Sequence, residues 1–335
     1  MTPRAAAPPL AARVFAALAD GRFHSGQELA RDLGVSRSAV WKAAGALREL
    51  GATLHAVRNR GYRLPSGRDA LDAGRIRSQL PPEAREHARD IQAVWTVDST
   101  NSALLARPNP PCGKSEILLA EYQTAGRGRR GRAWLAPPGG AICLSLSWTF
   151  REVPRDLGAL GLVVGVCILR ALRSAGLTDL NLKWPNDVLF EGRKLGGVLI
   201  ELRAEGAGNA CVVIGMGLNV ALGAPLLEAI GRTGVLATDL VGAGLTHPSR
   251  NALAAALIAE VLRALPVFEA EALRPFVEEW RAADALRARP IEVRAIGSIA
   301  RGLARGIDLH GALLLETPQG VRRFVSGDVT VRPVQ

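Results

Sequence analysis

The sequence predicts an α+β fold, and three observations carry that reading. Between residues 91 and 218 short strand-like stretches follow one another with only one long helical stretch among them. That pattern places one mixed sheet with helices packed on a face. No Gly-x-Gly-x-x-Gly turn or Walker P-loop opens a helix after a first strand, which removes the nucleotide-binding folds built on those turns. The 335 residues, 48% hydrophobic and 22% charged, suffice for two or three domains with ample cores.

The first element is an amphipathic segment, residues 11–18. Ser25 and Glu28 then form a Ser-x-x-Glu capping box that opens a second helix, and Gly34 closes it. Ser36 caps a third, carrying Val40, Ala43, Leu47 and Leu50 at helical spacing. Two short helices joined by Leu-Gly-Val-Ser make a helix-turn-helix, whose second helix reads the major groove from its N-terminal end. Ser36, Arg37, Ser38, Trp41 and Lys42 are therefore the candidate DNA contacts, although Trp41 is large and apolar for that surface and packing against a neighbouring hairpin is its alternative place. That hairpin is residues 53–64, a basic wing with Arg58 and Arg60 at its turn. Residues 1–66 hold ten basic and four acidic side chains, so this fifth of the chain carries +6 of the net +11, which fits a phosphate-facing module. The polar stretch after Pro65 marks the boundary, giving domains at 1–66, 67–285 and 286–335.

In the central part, residues 91–97, 117–122, 141–150, 181–183, 188–190, 197–203 and 211–218 read as strands. Residues 158–175 and 250–282 read as helical, the latter broken near Pro266 and Pro275. No membrane span is expected, because the longest apolar run, residues 157–169, falls short of the ~20 residues that crossing requires. Cys112, Cys143, Cys167 and Cys211 show neither metal nor disulfide spacing and read as free thiols of a cytoplasmic protein.

Polar clusters sit at the strand ends. Asp98-Ser99-Thr100-Asn101 offers short hydroxyl and amide groups for a polar head group. After Gln123 comes Gly126-Arg127-Gly128-Arg129-Arg130-Gly131-Arg132-Ala133-Trp134, in which arginine forks suit a carboxylate or phosphate and glycines allow close approach. By itself this loop reads equally as a mobile anion lid or as a basic surface loop or disordered RNA-binding Arg-Gly segment. Lys183-Trp184-Pro185-Asn186-Asp187, Arg193-Lys194-Leu195-Gly196-Gly197 and Gly215-Met216-Gly217-Leu218-Asn219 follow. Only four of the 42 basic residues are lysines, and two of these, Lys183 and Lys194, fall in the motifs.

Together and in this order, the motifs resemble the biotin–protein ligase family, and the N-terminal helix-turn-helix resembles that of its bifunctional members, which double as biotin operon repressors. The likeness covers nearly the whole chain; residues 305–316 resemble the family's small C-terminal SH3-like barrel. The resemblance implies ATP-dependent formation of biotinyl-5′-AMP and transfer of biotin to a lysine of a biotin carboxyl carrier protein. It implies Lys183, Arg127 and Arg129 as catalytic groups. Ser99, Thr100, Asn101, Gln123, Gly128 and those three cations would hold biotin. Gly126, Arg129, Arg132, Trp134, Lys183 and Asn219 would hold or border ATP and the adenylate. Mg²⁺ would accompany the phosphates, with no residue assigned to it. Operator DNA is the further partner, and a homodimer formed on adenylate binding would use the lid and an edge strand at 193–199. The alternatives are a ligase whose helix-turn-helix no longer binds DNA, a ligand-sensing repressor without catalysis, and a lipoate ligase.

Overall fold

The computed structural model describes residues 8–65, 69–204, 209–295, 298–325 and 329–333, so part of the predicted boundary after Pro65 lies outside the described residues. The N-terminal unit is α1 (Leu10–Ala17), α2 (Gly26–Leu33), α3 (Arg37–Glu49) and the hairpin β1 (His55–Val57) and β2 (Gly61–Arg63). Its punctuation is local. Ser25 and Glu28 close the capping box reciprocally, Gly34 stops α2 at φ 66°, and the Ser36 hydroxyl accepts the Ala39 N–H. Val14, Phe15, Leu29, Val40, Leu47 and Leu64 make a core of their own.

The central unit runs α4 (Ala73–Gln79), α5 (Pro82–His87), β3 (Ala88–Val97), α6 (Thr100–Leu105), β4 (Ser115–Gln123), β5 (Ala141–Phe150), α7 (Leu160–Ser174), β6 (Leu180–Lys183), β7 (Asp187–Phe190), β8 (Arg193–Ala204), β9 (Ala210–Asn219), α8 (Ala224–Gly231), α9 (Arg250–Glu271) and α10 (Val277–Ala282). Its seven strands lie in the order β3-β4-β5-β9-β8-β7-β6. Only β3 and β4 are parallel, so the sheet is mixed, as the alternating pattern implied. Helices α7 and α9 cover one face, while α6 packs on β4, β5 and β9 from the other. Helices α4, α5 and α8, for which no periodic signal was read, complete the unit.

Two expectations are corrected here. Helix α9 runs through Pro266 and ends only at Ala272, ahead of the short turn at Arg274–Phe276. Leu262, Leu265 and Phe268 are all buried, and that packing outweighs the ~3 kcal/mol that an interior proline costs. The apolar run is also longer than expected: Leu157–Ser174 and Arg250–Glu271 are each long and apolar enough to cross a membrane. Both lie two-thirds buried within the fold, as core helices do.

The C-terminal unit is an antiparallel sheet of β10 (Pro290–Ala295), β11 (Ser298–Ile307), β12 (Leu313–Thr317), β13 (Gly320–Phe324) and β14 (Val329–Pro333), in the order β13-β12-β11-β10-β14. Its apolar side joins the central core through Ile291, Val293, Leu313 and Leu315. Trp184, buried in the Lys-Trp-Pro-Asn-Asp motif, donates its indole N–H to the Gly311 carbonyl at 3.0 Å. The motif therefore fastens this sheet to the central one as well as ending β6. The N-terminal unit docks through Phe15, whose ring lies 5.5 Å from that of Trp95 on β3.

Candidate functional site

The pocket floor is a single row of cross-strand neighbours. Ala120 pairs with Cys143, Cys143 with Gly217, Gly217 with Gly197, Gly197 with Asp187, and Asp187 with Lys183. Directly opposed residues share a face of a sheet, so Lys183 stands on the side that α6 covers. Two glycines leave a trench between it and the middle of the sheet. The trench is crossed by Lys194, whose Nζ pairs with Asp187 at 2.6 Å.

At the inner end, Ser99 caps α6 and the next two residues start its first turn. The Thr100 N–H and hydroxyl both donate to Gln123 Oε1, at 2.8 and 3.1 Å. That turns the Gln123 amide NH₂ toward the lid, where a Cβ on Gly126 would lie 3.1 Å from it. Ser145 Oγ lies 2.6 Å from Thr100 Oγ1 and 2.5 Å from Asn101 Oδ1. Gly215 must lack a side chain, because a Cβ there would collide with the Asn101 amide. Ser99, Thr100 and Asn101 are all buried, so this is a set of satisfied, rigidly held polar groups.

The lid is an ordered hairpin rather than a floppy loop. Arg127 bridges Ala133, the Gly128 N–H donates to the Arg132 carbonyl at 2.7 Å, and the Trp134 N–H donates to Gly126 at 2.8 Å. Arg130 at φ 58° and Gly131 at φ 72° turn the chain. Gly126 is dictated by sterics, since a Cβ would sit 2.5 Å from the Trp134 carbonyl oxygen. Trp134 folds its ring down onto the trench, and a Cβ on Gly217 would lie 2.6 Å from it. Under that ring, burial pushes the Cys143 thiol up to about 11, so it stays neutral and is no nucleophile.

Arg127 reaches across to Glu201 on β8, its Nη2 lying 3.1 Å from each carboxylate oxygen. Glu201 Oε2 also accepts from Asn101 Nδ2 at 2.8 Å. This clasp joins lid to floor, and the sequence reading missed it. An acidic residue on an alternating strand gives no local sign of a partner 74 residues away. Ser145 was missed for the same reason.

The structure thus brings Ser99, Thr100, Asn101, Gln123, Gly126, Arg127, Gly128, Trp134 and Lys183 to one face. Arg129 is half-buried in the lid turn and Arg132 is exposed on its outside. Asn219 is buried, and its Nδ2 donates to the Thr238 carbonyl at 2.9 Å, so that amide group braces the segment beside β9. The expected edge at 193–199 is corrected: residues 193–197 pair with β7 while Gly196 and Gly197 also pair with β9, and the outer strands of the sheet are β3 and β6.

In the N-terminal unit Arg37, Ser38, Trp41 and Lys42 are exposed along one helix start, and Trp41, 66% exposed, does not pack against the wing. The Ser36 hydroxyl is spent on its cap. The wing is pinned to the segment just before α2 by the His24–Tyr62 backbone pair, at 2.9 and 2.8 Å. Gly61 sits there at φ 94°, where a Cβ would strike the His24 carbonyl. Arg58 is exposed at the tip, and Arg60 stacks 4.4 Å above the Phe23 ring.

A helix-turn-helix joined to a mixed-sheet domain with an arginine lid over a polar pocket defines a class: ligand-binding enzymes with an appended DNA-reading unit. The chain matches the biotin/lipoate A/B protein ligase family over residues 95–219, an HTH domain over 14–63 and the biotin protein ligase C-terminal domain over 289–332. It is 37% identical to the bifunctional ligase/repressor BirA of Salmonella typhimurium, across 95% of this chain and 96% of that one. It is also 34% identical to the biotin--[acetyl-CoA-carboxylase] ligase of Mycobacterium tuberculosis, across 78% and 96%. Among solved structures, the biotin protein ligase from Aquifex aeolicus in complex with biotin and ATP superposes with a TM-score of 0.62 at 25% identity, covering 73% of this chain and all of that one. The chain belongs to the biotin–protein ligase family, in its bifunctional ligase/repressor branch.

Proposed function

We propose that the protein is an ATP-dependent biotin–protein ligase that also acts as a biotinyl-AMP-responsive transcriptional repressor in the cytoplasm. One observation carries the catalytic part: the glycine-floored row leads from the Thr100–Gln123 head-group pocket, under Arg127, to Lys183. Biotin's ureido ring would be read by Ser99, Thr100, Asn101 and Gln123. Its carboxylate would lie beneath Arg127, Gly128 and Arg129. One carboxylate oxygen then attacks the α-phosphorus of ATP. Both partners are anions, so the reaction needs fixed positive charge around the phosphorus and little else. Lys183 supplies it, with Arg129 from the lid. Trp134 shelters the adenylate side of the trench, with Arg132 and Asn219 bordering it. A closed lid keeps water from the mixed anhydride until the carrier protein's lysine amine displaces AMP.

No group of three or more His, Cys, Asp or Glu side chains gathers among the described residues. Mg²⁺ would be carried in largely by the ATP phosphates, which is how this ion is commonly held. Adenylate binding that settles the lid would favour a homodimer, placing two α3 helices on a two-fold operator. Sedimentation with and without biotin plus ATP checks this, and a species unchanged in mass overturns it.

The decisive experiment is biotin-dependent pyrophosphate exchange. Wild type should exchange with biotin and not with lipoate, and Lys183→Ala should lose the exchange by about 10²–10³-fold. Exchange supported by lipoate alone would refute the substrate assignment.

A further inference from the structure

Beyond Lys183 the trench opens into a cavity of about 230 Å³ between the β6–β7 hairpin and the segment joining α10 to the C-terminal sheet. Asn181, Lys183 and Leu189 line it from the hairpin, and Asp284, Arg287 and Arg289 line it from the joining segment. We propose that this cavity is a diphosphate site, which takes the β- and γ-phosphates of the nucleotide and then the departing pyrophosphate. The inference rests on the ligase reading given above and extends it to residues outside its motifs.

Direction is the first argument. Displacement at phosphorus is in line, so the leaving group departs opposite the attacking oxygen. The head-group pocket lies over β4, β5 and β9, Arg127 is held over β8, and Lys183 stands on β6. With strands ~4.8 Å apart, β9 to β6 is roughly 14 Å across the sheet. A carboxylate entering from the β9 side and attacking near Lys183 sends the leaving group onward, past the edge of the sheet. That is where the cavity opens. The carboxylate oxygen bonds to the α-phosphorus while the bond from that phosphorus to the bridging oxygen breaks. The bond's electron pair leaves on the diphosphate, so charge accumulates in the cavity as the reaction proceeds.

Charge is the second argument. Arg287 and Arg289 are exposed at the mouth of the cavity. Asp284 is a charged neighbour of Arg287, yet the two guanidinium groups with Lys183 outnumber that one carboxylate and suit a polyphosphate. The cavity's one carboxylate, Asp284, accepts the Leu286 N–H on Oδ1 and has no partner on Oδ2. Its burial holds its carboxyl above the usual range, which lessens its opposition to an anion.

The backbone supplies the third. Ala288, between the two arginines, sits at φ 57°, where a non-glycine residue is strained. The turn is held there by the Ala288 N–H donating to the Ala304 carbonyl at 2.9 Å and the Ala304 N–H donating to the Arg289 carbonyl at 3.0 Å. The C-terminal sheet thus holds the turn that places both arginines on the wall of the cavity that Lys183 lines from the other side.

The test is calorimetric titration of the full chain with magnesium pyrophosphate. It is run on wild type, on the Arg287→Ala/Arg289→Ala double variant and on the corresponding double lysine variant. The alanine pair should weaken pyrophosphate binding, and raise the KM for ATP, by tenfold or more. The lysine pair should recover part of both. Biotin affinity and transfer from added biotinyl-AMP to a carrier protein should stay within twofold of wild type. Pyrophosphate affinity unchanged in the alanine pair overturns the proposal, and so does loss of transfer in equal measure with ATP use. A wild type that binds pyrophosphate through these arginines yet forms no adenylate from biotin would support the cavity and refute the ligase reading.

Discussion

The protein has two basic hairpins of similar make and opposite electrostatic design. The wing turns at Asn59, φ 64°, and Gly61; the lid turns at Arg130, φ 58°, and Gly131. Both present arginines from a glycine-bearing turn. Under the wing, Arg60 rests on a neutral ring, Phe23, and keeps its whole charge. Under the lid, Arg127 is paired with a carboxylate, Glu201, at 3.1 Å, which offsets part of its charge. A hairpin with uncancelled charge attracts an extended polyanion and binds it more weakly as salt rises. An arginine already paired, as Arg127 is, yields to an anion that takes the resident carboxylate's place at short range. What lies beneath the arginine, more than the arginine, decides which kind of ligand the hairpin serves.

This contrast can be broken in several places. The largest effect should come from Arg127→Ala, which should lower kcat/KM for adenylation by about 10²-fold. The salt dependence of duplex DNA binding by the unliganded protein should not change. Arg60→Ala should do the reverse. Adenylation stays at wild-type level, and the slope of log affinity against log salt falls by about 0.9, the value of one phosphate contact. A wing variant that slows adenylation would mean the two hairpins are not independent.

Glu201→Gln tests that pairing itself. The side chains of the pair are 42% and 25% exposed, so the bridge is worth about 0.5–1 kcal/mol after screening. Removing the competing carboxylate should tighten biotin by about two- to fivefold in calorimetry, with the Asn101 contact kept by the new amide. Weaker binding would show that Glu201 aims Arg127 rather than competing with its ligand.

The smallest effect concerns Asp284, a carboxyl with arginines near it but none bonded to it. Burial raises its folded-state pKa. Its contribution to stability is therefore fully present below the unfolded value of 3.8 and is lost as pH rises through the raised value. Asp284→Asn keeps the acceptor for Leu286 and should raise the Tm by a few degrees at pH 7. The gain should vanish in melts below about pH 4.

Much of this was legible because it is written locally. The capping box at Ser25–Glu28, the left-handed stop at Gly34 and the β5 span Ala141–Phe150 depend on spacing within one element. The lid's glycines and the order of the polar clusters pointed to the strand ends that the fold gathers on one face. What the sequence hid is pairing between elements. Glu201 looks like any outward acid on a strand until Arg127 is folded over it. Trp184 looks like part of a ligand motif until Gly311 arrives from another sheet. Pro266 misled because a rule for isolated helices meets a core that outweighs it. Arg287 and Arg289 belong to no cluster, and only the arrival of β11 beneath Ala288 gives them a place.

Arg250 gives the division of the chain a practical limit. It is fully buried, and its guanidinium donates to Glu121 on β4, to the Ala141 carbonyl and to the Asp69 carbonyl. Its N–H and the Asn251 amide take the Asp69 carboxylate. Asp69 belongs to the strap leading from the DNA-reading unit, and Glu121 stands two residues before the pocket's Gln123. A catalytic half cut free at Asp69 keeps this knot whole. One cut at Asp72 leaves a buried cation short of acceptors, costing about 1–3 kcal/mol. The loss would fall on the strand that carries the pocket, so an isolated ligase trimmed three residues too far could be mistaken for one that needs its repressor domain.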